Sequence, residues 1–149
     1  MKRKIRTELI YSKLKELNNS IFFIEEFLPA DVKDLEDRGA RNKLYKEVEF
    51  AIQLMIDICS VINSDVSKET PSDEDSIFIS LKKENVISPT LTEKIQKMKG
   101  FRNLLVHRYG EIDNEEAYES ISSGLKDFDL FVKEIEKFLE KHKTKKSKG

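Results

Sequence analysis

Toward its C-terminal end the chain places Tyr118, Ile121, Leu125, Phe128, Val132, Ile135 and Leu139 at alternating steps of three and four. That spacing lines one face of a 3.6-residue helix and cannot line one face of a strand. A stripe this long has to be buried against other elements. The same spacing recurs in Ile10, Leu14, Leu17, Ile21, Ile24 and Leu28, where Pro29 closes the segment. It recurs again in Leu44, Val48, Ala51, Met55, Ile58 and Ile62. This third segment carries a second stripe of Phe50, Leu54, Asp57 and Val61, as expected of a central helix buried on two sides or feeding an interface. Asp57 interrupts that second stripe with a carboxylate.

Between these segments lie polar stretches. Residues 31–38 read as a helical turn or loop with Gly39 as punctuation, and residues 64–75 read as a connection. Ser72 is the expected cap of a short helix holding Ile77, Phe78 and Leu81. Pro89 suits a helix start, and Thr90 with Glu93 fits a capping box. Leu91, Ile95, Met98 and Leu105 form the next stripe, in which Arg102 takes a place where an apolar residue is expected. Gly110 is the expected end of that helix, and Asp113 with Glu116 the start of the last one. The predicted fold class is therefore all-α, an up-and-down bundle of about five helices. The domain is expected over residues 1–140, and the basic segment 141–149, which lacks apolar periodicity, as a frayed, disordered tail.

Charge narrows the functional classes. Charged residues make up 37% of the 149, yet the formal net charge is -1. The chain lacks the global positive field of a typical nucleic-acid binder, so any RNA contact has to be local. Cys59, the one cysteine, sits in the apolar run 54–61 and reads as a small buried hydrophobe in a reducing cytoplasm. The basic residues Lys2, Arg3, Lys4 and Arg6 are followed by no long apolar stretch or cleavage-like site. No segment approaches transmembrane length, so a soluble, cytoplasmic protein is expected.

No glycine-rich phosphate loop and no metal-ligand spacing of Cys, His or carboxylates is present, so neither a metal nor a cofactor is expected. Of the two histidines, His142 lies in the basic tail and reads as solvated. His107 lies in Arg102-Asn103-Leu104-Leu105-Val106-His107-Arg108-Tyr109-Gly110, where polar groups flank a short apolar run. An arginine on a core stripe is costly to desolvate unless paired. Arg102 therefore either pairs with Asp57 inside the bundle or lends its charge to a site. Five residues of ideal helix set Arg102 and His107 roughly 140° apart. For Arg102, His107 and Tyr109 to converge, the helix must end or bend near His107, or the arginine must reach around it.

This stretch resembles the HEPN superfamily, whose signature is an arginine, often followed by asparagine, and a histidine a few residues on. It is most similar to the HepT subgroup, in which the histidine is followed by any residue and a tyrosine. Arg102, Asn103, His107 and Tyr109 match, and the flanks Lys99-Gly100-Phe101 and Gly110-Glu111-Ile112-Asp113 agree over a resemblance spanning residues 40–140. The resemblance implies a HEPN-like bundle forming a symmetric homodimer, with the arginine and histidine of both protomers in one cleft. It implies a ribonuclease toxin with Arg102 and His107 as catalytic residues and Asn103 in support. It also implies a partner, an MntA-like minimal nucleotidyltransferase antitoxin, that silences the toxin by AMP transfer (AMPylation) onto Tyr109.

The residue chemistry is compatible with this. Metal-free RNA cleavage needs a base for the 2′-hydroxyl, an acid for the leaving 5′-oxygen and a cation for the phosphate. Imidazole serves as either acid or base near neutral pH, and guanidinium grips phosphate through two parallel hydrogen bonds. Two other readings stay open at this point. One is a non-catalytic HEPN dimer that binds a nucleotidyltransferase or nucleotides through the same cleft. The other is a structural bundle with a buried Arg–Asp pair.

Overall fold

The computed structural model describes residues 4–148, with side chains described through residue 142. Among the described residues there are five α-helices and no strand: α1 (Thr7–Phe27), α2 (Arg38–Val66), α3 (Glu74–Lys83), α4 (Pro89–His107) and α5 (Asn114–Lys148). Short 3-10 turns at Val32–Glu36 and Tyr109–Glu111 join α1 to α2 and α4 to α5.

The two long N-terminal helices pair antiparallel. At one end the Arg6 guanidinium grips the buried Asp65 carboxylate at 3.0 Å and the Ser64 hydroxyl at 2.6 Å. Midway, the Ser20 hydroxyl donates to the Glu47 carboxylate at 2.5 Å. α2 then packs on α1, α3 and α4, which is the central position its two stripes predict. Leu44, Met55, Ile58, Cys59 and Ile62 are fully buried, and burial pushes the Cys59 thiol far up from its ordinary range, so it stays protonated. The second stripe is buried only in part: Leu54 is covered, whereas Phe50 stays half exposed. One continuous core links all five helices, with Phe78, Leu91, Ile95, Phe131, Ile135 and Leu139 closing it from α3, α4 and α5.

Helix ends follow local chemistry, at times one or two residues from where the sequence places them. Gly39 does not interrupt the chain: Asp37 caps α2 by accepting the Ala40 N–H at 2.8 Å, and Gly39 sits in the first turn. Asp73, not Ser72, caps α3 in a reciprocal box with Ser76. A carboxylate is a stronger acceptor for exposed N–H groups than a hydroxyl, and it favours the positive helix end. At the other end of α3, Asn85 takes the left-handed conformation (φ 59) that lets the chain turn back.

Pro89 begins α4 as expected, but the cap is Ser88 in place of the Thr90–Glu93 box. Glu134 on α5 selects it, accepting both the Ser88 N–H and its hydroxyl at 2.7 Å. α4 ends at His107, before the expected Gly110, because Arg108 leaves helical geometry. Asp113 caps α5 as read, accepting from the Glu115 and Glu116 N–H groups. α5 continues to Lys148, so the backbone is helical through most of the segment expected to fray. His142 is not simply solvated: its ring lies 4.3 Å from Phe138 and its Nδ1 meets the Phe138 carbonyl. None of the helices among the described residues is long and apolar enough to cross a membrane.

Candidate functional site

α4 is continuous through His107, so the wide angular separation expected between Arg102 and His107 is retained. Within one chain the motif residues do not converge on a single point. Arg102 turns toward α2 and α3, His107 ends the helix in solvent, and Tyr109 folds back against α2.

The Arg102 side chain is only 12% exposed, and a ring of acceptors holds it. Its Nη2 donates to Glu74 Oε1 at 2.7 Å and its Nη1 to Glu74 Oε2 at 3.2 Å, a two-pronged grip on one carboxylate. Nη1 also donates to Gln53 Oε1 at 2.7 Å. Asn103 Oδ1 accepts from Nε at 3.2 Å and from Nη2 at 2.8 Å. The expected partner Asp57 is not among them. It accepts a bond from Gln53 Nε2 at 3.0 Å and so lies one residue further out. Glu74 was hidden because it starts a helix in a stretch read as a connection. The only signal in the sequence was that a core arginine must find a carboxylate somewhere. Asn103 is thereby placed on the arginine rather than on the histidine. A second link, Lys99 to Asp75 at 3.0 Å, fastens α4 to α3 beside the first.

His107 is exposed at the last helical position of α4, and its side chain makes no hydrogen bond among the described residues. Arg108 meets Glu111 across 3.8 Å with both side chains in solvent, an arrangement that contributes little. Val106 beside it is also exposed.

Tyr109 packs edge-on against Tyr45, with ring centroids 5.9 Å apart, and its hydroxyl donates to Asn42 Oδ1. Tyr45 is itself buried and donates to Asn114 Oδ1 at 2.7 Å. Burial, with Tyr109 adding to it, pushes the Tyr45 phenol up from 10.0 to about 12. Tyr109 keeps 38% of its surface exposed. It lines two shallow depressions, one with Arg38, Arg41 and Asn114, the other with Lys43, Lys46 and Glu49. These α2 residues around Tyr109 were not anticipated, since nothing local ties positions 38–49 to position 109.

The geometry defines a class: an all-α bundle in which one helix carries a clamped arginine, and its end presents an open histidine and a half-exposed tyrosine. The chain belongs to the ribonuclease HepT-like family, whose profile matches residues 17–135. It is 32% identical over 92 residues to the tRNA nuclease HepT of Aphanizomenon flos-aquae, covering 62% of this chain and 63% of that protein. The chain thus spans just under two thirds of that relative's length. It is 23% identical over 125 residues to the mRNA nuclease HepT of Shewanella oneidensis, covering 84% and 94% of the two chains. In structure it is similar to the tri-AMPylated Shewanella oneidensis HEPN toxin solved in complex with MNT antitoxin. There the TM-score is 0.77 at 24% identity, over 85% of this chain and 96% of that one.

Proposed function

We propose that this protein is the toxin of a HepT/MntA-type toxin–antitoxin pair, a metal-independent endoribonuclease that acts as a homodimer. The observation that carries this reading is the exposed, uncommitted His107, in the family's motif and on the same helix as Arg102. An imidazole without a hydrogen bond among the described residues is open to a substrate, and histidine as a residue type exchanges protons near neutral pH. One chain offers one such group, whereas cleavage needs a base and an acid. A symmetric dimer supplies two. Phe50 on α2 and Val106 on α4, each about half exposed on helices that pack together, are apolar surface suited to that contact.

In the proposed reaction the 2′-oxygen attacks the adjacent phosphorus and passes its proton to one imidazole. The phosphorus–5′-oxygen bond breaks, and the 5′-oxygen takes a proton from the other imidazole. The products are a 2′,3′-cyclic phosphate and a 5′-hydroxyl. Arg102 supplies positive charge to the phosphate oxygens, and Asn103 fixes the plane of its guanidinium.

Tyr109 is the proposed acceptor of AMP from an MntA-like nucleotidyltransferase antitoxin. Its oxygen attacks the α-phosphorus of ATP, pyrophosphate leaves, and the phenolic proton goes to a base on the transferase. The half-exposed ring, held at its hydroxyl by Asn42 alone among the described residues, supports this role. A tyrosine-linked phosphodiester brings negative charge to the site and excludes the substrate's own. The cytoplasm is the proposed location, in keeping with an RNA substrate and a buried free thiol.

The saturated Arg102 favours a second reading, a non-catalytic dimer that binds a nucleotidyltransferase or nucleotides. Purified wild type, His107→Ala and Arg102→Ala, assayed on RNA with EDTA present and folding checked by circular dichroism, separate the two. Cleavage by wild type alone supports the nuclease. A folded wild type that does not cut, or variants that cut equally, supports the binding module.

A further inference from the structure

Arginine has five N–H donors. In Arg102 every one is taken: Nε by Asn103, Nη2 by Asn103 and Glu74, Nη1 by Glu74 and Gln53. A guanidinium in this state has no hydrogen bond left to give a phosphate, and its charge is met by a carboxylate. We propose that Glu74 is a latch on this site: it occupies the phosphate-binding edge of Arg102, and substrate binds by displacing it. The inference rests on the nuclease reading above.

Three acceptors surround the guanidinium, and only one fits this role. Asn103 neighbours Arg102 on the same helix and moves with it, while Gln53 is neutral and is itself tethered to Asp57. Glu74 alone is anionic. It engages Nη1 and Nη2 with its two oxygens, the fork-to-fork geometry that two phosphate oxygens also adopt. Its side chain is 34% exposed, so it can swing into solvent, and an incoming phosphodiester then replaces one carboxylate with one phosphate at no net change of charge.

Glu74 is not the sole hold on α3. It sits in the first turn of α3, while Asp73 supplies the cap. Ile77, Phe78 and Leu81 hold α3 in the core, and the Lys99–Asp75 pair keeps α3 on α4. Glu74→Gln therefore tests the charge without removing the helix.

The test measures binding of an RNA oligonucleotide whose 2′-hydroxyls are methylated, so that it cannot be cleaved, by wild type, Glu74→Gln, Arg102→Ala and the double variant. Cleavage of the unmodified RNA is measured alongside. The latch predicts that Glu74→Gln tightens binding about fivefold, equivalent to about 1 kcal/mol. It also predicts a KM lowered to match with kcat preserved, and no gain when Arg102 is already Ala. Binding that is unchanged or weaker in Glu74→Gln overturns the latch, as does a fall in kcat at constant KM, which would make Glu74 a positioning residue. If neither wild type nor Glu74→Gln binds the RNA, the nuclease reading fails and the latch with it. If wild type binds and only the Glu74→Gln gain is missing, the latch alone fails.

Discussion

The middle of α4 and its end are built on opposite terms. At Arg102 a charged group is enclosed, every donor is matched, and two neighbouring helices are tied through it. At His107, five residues on, the side chain stands in solvent with no hydrogen-bond partner among the described residues. One position is secured by the fold and so contributes to it. The other is held by no side-chain hydrogen bond among the described residues and is open to a substrate. A motif read as a single unit in the sequence is thus two physical environments on one rod, and substitutions at its two ends should differ in kind.

The largest expected effect is at the open end. His107→Ala should lower RNA cleavage about a hundredfold or more, while thermal unfolding in the same buffer moves by no more than about 0.5 kcal/mol, as for other exposed positions. A matching loss of stability would break the contrast. Arg102→Ala should lose cleavage too, but should also destabilise the protein by about 1–3 kcal/mol, because Glu74 and Gln53 are left without their donor. Urea unfolding of the two variants side by side reads that difference directly. Equal midpoints would mean that the clamp around Arg102 is not a structural link.

The tyrosine pair sharpens the comparison on a smaller scale. Tyr45→Phe removes the hydrogen bond to Asn114 and should cost about 1 kcal/mol at neutral pH. Its titration carries a sign. The folded protein holds the Tyr45 proton up to about 12, above the ordinary value of 10.0. The stability this contributes is complete below pH 10.0 and is lost as pH rises through about 12. Melting temperatures followed across that range should fall for wild type and fall less steeply for Tyr45→Phe. The smallest effect on the fold is expected at Tyr109→Phe, which gives up only the Asn42 contact. It should unfold within about 0.5 kcal/mol of wild type, cleave RNA at a near wild-type rate, and accept no AMP from the transferase. Mass spectrometry of the incubated variant reads the last point.

The sequence discloses what is periodic or local. The apolar stripes carry α1, α2, α4 and α5 because burial on one helical face repeats along the chain, and Asp113 is legible as a cap because its partners are two and three residues away. Ser88 shows where locality ends: the local pattern favours Thr90 as the cap, but Glu134, distant in sequence, accepts from both the N–H and the hydroxyl of Ser88. The same limit governs the site. The segment bearing Arg102, His107 and Tyr109 stands out in the sequence, yet Glu74, Gln53 and Asn42 do not, since each meets its partner only after α2, α3 and α4 have packed. Asp57 is the carboxylate the sequence offers Arg102, because it breaks an apolar stripe on the neighbouring helix. Gln53 stands between them.

The junction of Arg6 with Asp65 has a consequence for how the molecule opens. An antiparallel pair of helices joined by a turn ordinarily frays at the end away from the turn. Here that end is sealed, since both the backbone N–H and the guanidinium of Arg6 bind one buried carboxylate 59 residues on. The pair closes into a loop, with a covalent turn at one end and a polar clasp at the other. Amide hydrogens from Ile10 onward, the first to donate back along α1, should then exchange with solvent at rates closer to those of the helix interior. An N-terminal extension would have to leave this clasp intact, whereas trimming the chain past Arg6 would strip the Asp65 carboxylate of these two donors and leave the apolar stripe of α1 to hold that end.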